Sequence, residues 1–218
     1  MKKLVSILIG LLIIGSILTL AIDRDVMSIS KYVNSPGKGR DTFETTLTAG
    51  HYTAGIDIPP GTYSITSISG TGQVSSTKVF SGAIDGKGSD NSENLKTTID
   101  NVQLPENVVL TLTCSLVAKI STDTADLKAM IPRINTAINP ITLTPGQYKS
   151  GQDFDPGTYD VIWVSGLGTV SSSNLFDQGI FERMGFADLT AKEFKNLELK
   201  DGSTLTVSDL TIQLVPSK

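Results

Sequence analysis

A chain that performs catalysis needs an acid, a base or a nucleophile in a recognisable setting, and this sequence is sparing with all three. It has one histidine, His51, and one cysteine, Cys114. A histidine-based triad or a zinc site would have to be built around that single imidazole. Cys114 follows Leu110 and Leu112 in VVLTLTCSLV, and this alternation predicts a buried, unreactive thiol on a strand face. The 22 acidic residues offer many pairs for glycoside hydrolysis, but no two are singled out by position.

Carboxylates recur in a fixed setting in GIDIPPGTY at 55–63 and GQDFDPGTY at 151–159. The shared residues are Gly55, Asp57, Pro60, Gly61 and Tyr63 in the first, and Gly151, Asp153, Pro156, Gly157 and Tyr159 in the second. One Asp per motif is too few for a hard cation, which gathers several oxygens. Pro-Gly instead suits the centre of a type II turn, where Pro presets φ and Gly supplies the positive φ; the Asp then bonds amides two or three residues on. These ten residues are therefore expected to build a turn. No catalytic set, metal site or cofactor is expected, and ligand-binding residues stay unassigned.

Two other stretches are tempting. SGTGQVSS and SGLGTVSS are glycine-rich but lack phosphate-loop spacing, and read as tight hairpins. GKGSDNSEN at 86–94 carries glycines and carboxylates, and its counterpart QGIFERMGFADLTAKEF does not match it. Loops that differ on a shared scaffold, 81–94 and 177–191, are where a specific contact is expected, although each also reads as a tolerated surface loop. Trp163 alternates with Tyr159 and Val161, so it reads as core or interface rather than as a sugar platform.

What positions these residues is a duplication. Laying Thr46–Phe80 over Thr142–Phe176 gives 18 identities in 35 positions at an offset of 96. With the offset shortened by one, IDNVQLPENVVLTLT matches FKNLELKDGSTLTVS through Asn101/Asn196, Leu104/Leu199 and Thr111/Thr206. Alternating apolar residues and closely spaced turn signals predict an all-β fold: two tandem small antiparallel β-sandwich or jelly-roll-like repeats, at 45–120 and 140–218, each with five or six strands. Between them, 121–139 places Leu127, Met130, Ile131, Ile134 and Ile138 at helical spacing, predicting a short amphipathic helix capped by Asp123 or Thr124.

The N-terminus adds an uncharged run, LVSILIGLLIIGSILTLAI at 4–22. At ~1.5 Å per residue it extends roughly 28 Å, near the ~30 Å of a bilayer core. Residues 1–22 are expected to form a transmembrane signal anchor, with a cleaved signal peptide as the alternative. Lys2 and Lys3 before the run and Asp23, Arg24 and Asp25 after it place the rest outside the cell, with 23–44 as spacer. The lipid bilayer is thus one expected partner. Beyond the two lysines the chain carries 16 basic and 22 acidic residues, a formal charge of −6, which argues against nucleic acid.

The pattern G-x-D-I-P-x-G-x-Y, carried by Gly55, Asp57, Ile58, Pro59, Gly61 and Tyr63, with the later G-x-G-x-V and N-[VL]-x-L stretches, resembles a repeat of exported or membrane-anchored proteins of Gram-positive bacteria. The second copy departs from it with Phe154 and Asp155. The resemblance implies an all-β envelope module and supplies no catalytic residues. The expected function is a membrane-anchored, non-catalytic surface protein that binds an envelope polymer or protein or serves a structural role. The alternative is an exported hydrolase acting on cell-wall or host polymers.

Overall fold

The computed structural model describes residues 41–77, 80–85, 97–175 and 178–218. The apolar run and most of the spacer lie outside them. Among the described residues no helix is long and apolar enough to cross a membrane.

The fold is all-β. The first copy holds β1 (Asp41–Leu47), β2 (Gly50–Thr53), β3 (Gly61–Ser69), β4 (Thr71–Ser76), β5 (Phe80–Asp85), β6 (Thr98–Leu104), β7 (Val109–Leu112) and β8 (Val117–Ala125). The second holds β9 (Ile141–Leu143), β10 (Gly146–Lys149), β11 (Gly157–Ser172), β12 (Phe181–Met184), β13 (Glu193–Leu199) and β14 (Thr204–Pro216). Among the described residues the expected five or six strands fit the second copy, whereas the first has eight.

Sheet order explains the difference. In the first copy β1-β8-β3-β6 form one sheet and β2-β7-β4-β5 belong to another. In the second, β9 and β13 flank the same halves of β14 and β11 that correspond to β8 and β3, while β10 and β12 flank the other halves. Thus β11 and β14 each run through both layers, where in the first copy the corresponding strands are divided at Gly70 and around Cys114. Strands that switch sheets need a bend. All four bend positions take positive φ: Gly70 at 70°, Gly166 at 88°, Cys114 at 60° and Asp209 at 61°. The glycine-rich stretches are therefore corners between sheets rather than hairpins. A Cβ on Gly72 or Gly168 would run into the carbonyl of Thr113 or Ser208.

Alternation along β3 shows how the sequence makes its layers. Tyr63, Ile65 and Ser67 are buried while Thr62, Ser64 and Thr66 face outward. Tyr63 and Ile65 meet Leu110, Leu112 and Val74 in one apolar core. Tyr159, Val161, Leu197, Leu205 and Ile212 anchor the second, to which Trp163 adds a half-buried face. Each copy also carries one bulge at the same place. Asp100 and Asn101 oppose Ser64, and Lys195 and Asn196 oppose Asp160. The asparagines take φ of 61° and 57°, a left-handed conformation that Asn tolerates better than most side chains.

Three further expectations of the fold need correcting. The connector forms no amphipathic helix: Asp123 and Thr124 belong to β8, Leu127–Ala129 makes one 3₁₀ turn capped by Asp126, and the chain then runs extended. Ile131, Ile134 and Ile138 stay exposed, Ile134 at 93%, so no apolar face is buried to stabilise a helix. Cys114 is half-exposed at its corner, not buried on a strand face. The spacer ends earlier than expected, since β1 starts at Asp41 and pairs Phe43 with Thr122 of β8.

Candidate functional site

The two Pro-Gly motifs form the same loop down to individual hydrogen bonds. Asp57 Oδ2 accepts from the Thr53 amide at 2.7 Å, and Asp153 Oδ2 from the Lys149 amide at 2.6 Å. The amides of Gly55 and Gly151 donate across the loop to the carbonyls of Ile58 and Phe154, at 2.8 Å in both. Tyr63 donates its hydroxyl to Pro59 O and Tyr159 donates to Asp155 O, each at 2.6 Å. Burial pushes both phenols above the usual tyrosine range, the Asp155 carboxylate adding to the effect on Tyr159.

The turn is nevertheless not the type II turn expected. Positive φ falls at Gly55 and Gly151, at 93° and 84°, and each Asp reaches back four residues to an amide instead of forward. Gly61 and Gly157 open strands, and Gly157 is held to glycine by crowding, whereas Gly61 is only tightly packed. A Cβ on Gly157 would stand 2.6 Å from Ala137 Cβ, and one on Gly61 3.3 Å from Thr124 O.

Those neighbours belong to the last strand of the first copy and to the connector. Asp126 N donates to Pro60 O, Ile131 N to Gly55 O, and Arg133 Nη2 pairs with Asp57 Oδ1 at 2.5 Å. Asn135 then spans Thr158, accepting from its amide and donating to its carbonyl and to Ser217 O, while Thr136 donates to Pro156 O. The connector is thus laced across both motifs. This explains why it forgoes helical hydrogen bonds: its polar backbone groups find partners in the turns it crosses.

Beneath it the copies meet at a seam where β2 lies parallel to β13, joined by the bridge Lys195↔Gly50. Gly50 carries no side chain because its Cβ would sit 2.7 Å from Lys195 Cβ. Lys195 N donates to Ala49 O and Asn196 Nδ2 to His51 O, both at 2.9 Å. His51 is 6% exposed, with Nδ1 2.9 Å from the Thr111 hydroxyl and Nε2 3.2 Å from Gly179 O. A carbonyl only accepts, so Nε2 carries the proton and Nδ1 receives the threonine hydroxyl. Burial lowers the His51 pKa below 6.5, and the nearby carbonyls of Gly179 and Gln178 oppose this only in part.

Cys114 N donates across the same seam to Glu182 Oε1 at 3.1 Å. Glu182 is 3% exposed, and burial raises its carboxyl although the Cys114 and Arg183 amides pull the other way. Burial also raises the Cys114 thiol, with Glu182 adding to the effect. Burial pulls Lys195 down, but its bonds to Asp160 and Glu193 outweigh that and leave it raised. Among the described residues no group of three His, Cys, Asp or Glu gathers as a metal site.

Two cavities of about 330 Å³ open at the ends of this seam. One is walled by Ala49, Leu116, Val117 and Ile162, with Cys114 and Lys192 also lining it. The other is polar and takes Thr53 and Asn107 from the first copy, Gln178, Asn196 and Glu198 from the second, and Arg133 from the connector. Arg133 Nε is buried there with no hydrogen-bond partner. Of these, only the Asn101/Asn196 identity was visible in the sequence; Arg133 and Glu182 carried no signal. The loop at 86–94 lies outside the described residues.

No protein-family model matches the chain, and no curated protein matches it significantly. Among solved structures it is similar to a Cupin 2 conserved barrel domain protein from Leptotrichia buccalis, at 9% identity over 80% of this chain and 81% of that one, with a TM-score of 0.27.

Proposed function

We infer that the chain is a non-catalytic binding or structural module of a bacterial envelope. In this reading two tandem jelly-roll-like repeats are carried outside the cell by one N-terminal membrane helix, or released if that segment is cleaved. One observation supports it above others: the residues the copies share make the same internal bonds in both, so the repeated motif is architecture. The groups with chemical potential are likewise engaged in holding the molecule together, His51 and Glu182 across the seam and Asp57 against the connector.

A contact specific to this chain belongs where the copies differ. The polar cavity draws different residues from each copy and a guanidinium from the connector, which suits a polar envelope polymer or an exposed peptide segment. The test is co-sedimentation of the full chain with purified peptidoglycan or wall teichoic acid. The expected result is retention without soluble products, weakened by Glu198→Gln. Release of soluble fragments would overturn this reading in favour of an exported hydrolase.

A further inference from the structure

The seam inside the chain is a head-to-tail contact: the first copy offers β2 and the second offers β13. Because the chain is a duplication, each copy also owns the surface that the other uses. The second copy's equivalent of β2 is β10, and the first copy's equivalent of β13 is β6. Each of these has one hydrogen-bonded neighbour among the described strands, β14 for β10 and β3 for β6, so each leaves its outer edge unpaired.

Their exposure marks the contrast. Gly50, His51 and Tyr52 are buried at the seam, whereas Gly146 and Gln147 on β10 are exposed. Asn196 donates to His51 O across the seam, while Asn101, held at the same left-handed bulge, is exposed beside an exposed Asp100. Gly146 even keeps the glycine that Gly50 needs for close approach. We propose that the β10 edge of one chain pairs with the β6 edge of another, repeating the internal seam between molecules.

The chemistry of the two edges fits. Asn101 stands where Asn196 donates, and the Gln147 carbonyl stands where His51 O accepts. The contact would be weaker than the internal one. Gln147 and Ile99 replace the His51–Phe194 ring pair, and no connector crosses it. A heterologous contact of this kind propagates, closing into a ring or extending as a filament according to its rotation. The inference rests on the duplication and holds whether or not the chain is displayed on a membrane.

The experiment uses the full chain in detergent with Cys114→Ser, carrying either Asp100→Cys or Gln147→Cys, and a short bis-maleimide. Mixing the two variants should give a crosslinked pair that neither gives alone, and a chain bearing both cysteines should give a ladder of three or more chains. Gly146→Val should abolish the ladder, since a side chain there meets the neighbouring strand as it would at Gly50. Should Cys114→Ser disturb the fold, sedimentation velocity of the unmodified chain serves instead: oligomers are expected, reduced to single chains by Gly146→Val. Equal dimers from either cysteine alone, no mixed pair, or indifference to Gly146→Val would overturn the proposal.

Discussion

The imidazole of His51 meets the ring of Phe194 edge to face, with centroids 4.9 Å apart and planes at 84°, and the two residues belong to different copies. At the same position the second copy has Gln147, which is exposed. The one histidine is thus a joint between two sheets.

That joint makes stability depend on pH. The folded chain resists a proton that the unfolded chain accepts near 6.5, so the contribution of His51 is whole above that value and is lost as pH falls through the lowered folded pKa. Glu182 works the other way: its contribution is present below the ordinary carboxyl value of 4.5 and is lost as pH rises through its raised pKa. The His51 contribution should therefore lower the urea midpoint on acidification below about 6.5, read as the difference between the parent chain and His51→Gln, in which that part of the slope is missing. The substitution should also cost about 1 kcal/mol at neutral pH through the lost ring contact.

The two motif aspartates should differ in importance despite identical loops. Asp57 faces Arg133 with side chains 10% and 12% exposed, and removing it leaves a buried guanidinium unpaired. Asp57→Ala should cost about 3–5 kcal/mol, partly restored by adding Arg133→Met. Asp153 is exposed and satisfies only the Lys149 amide, so Asp153→Ala should cost about 1 kcal/mol in the same urea titration.

Tyr63→Phe and Tyr159→Phe should be nearly equal. Each strands a carbonyl that received a hydroxyl at 2.6 Å, a loss of about 1–3 kcal/mol by chemical denaturation. In spectrophotometric titration both phenols should stay protonated well past the ordinary range, along with Tyr52, which burial pushes up to about 12.

Cys114 should react slowly. Its thiol is raised by burial and by Glu182, so iodoacetamide should modify it more slowly than a cysteine in the unfolded chain, and Glu182→Gln should speed the reaction. Because φ is 60° there, Cys114→Gly should stabilise the fold by about 1 kcal/mol.

Much of this architecture was legible in the sequence. The duplication showed in Thr46–Phe80 against Thr142–Phe176, and alternation at Tyr63 and Ile65 or Tyr159 and Val161 gave the faces correctly. The connector misled because Leu127, Met130, Ile131, Ile134 and Ile138 have helical spacing, yet spacing reports a helix only if the apolar face is buried, and these isoleucines are not. The Pro-Gly turn misled differently, since glycine is needed both for positive φ and for crowding, and only a structure separates Gly151 from Gly157. The seam was hidden because Gly50 meets Lys195 and Cys114 meets Glu182 at long range, with nothing local to announce either pair.

The unbroken course of β11 and β14 has a counterpart in motion. In the second copy β11 and β14 carry hydrogen-bonded strand through both layers, so its amides should exchange with solvent together and last. In the first copy the strands end at Gly70 and near Cys114, so the sheet of β2, β7, β4 and β5 should exchange before that of β1, β8, β3 and β6. One duplicated sequence should thereby exchange its amides at two rates, which segment-resolved hydrogen exchange would read.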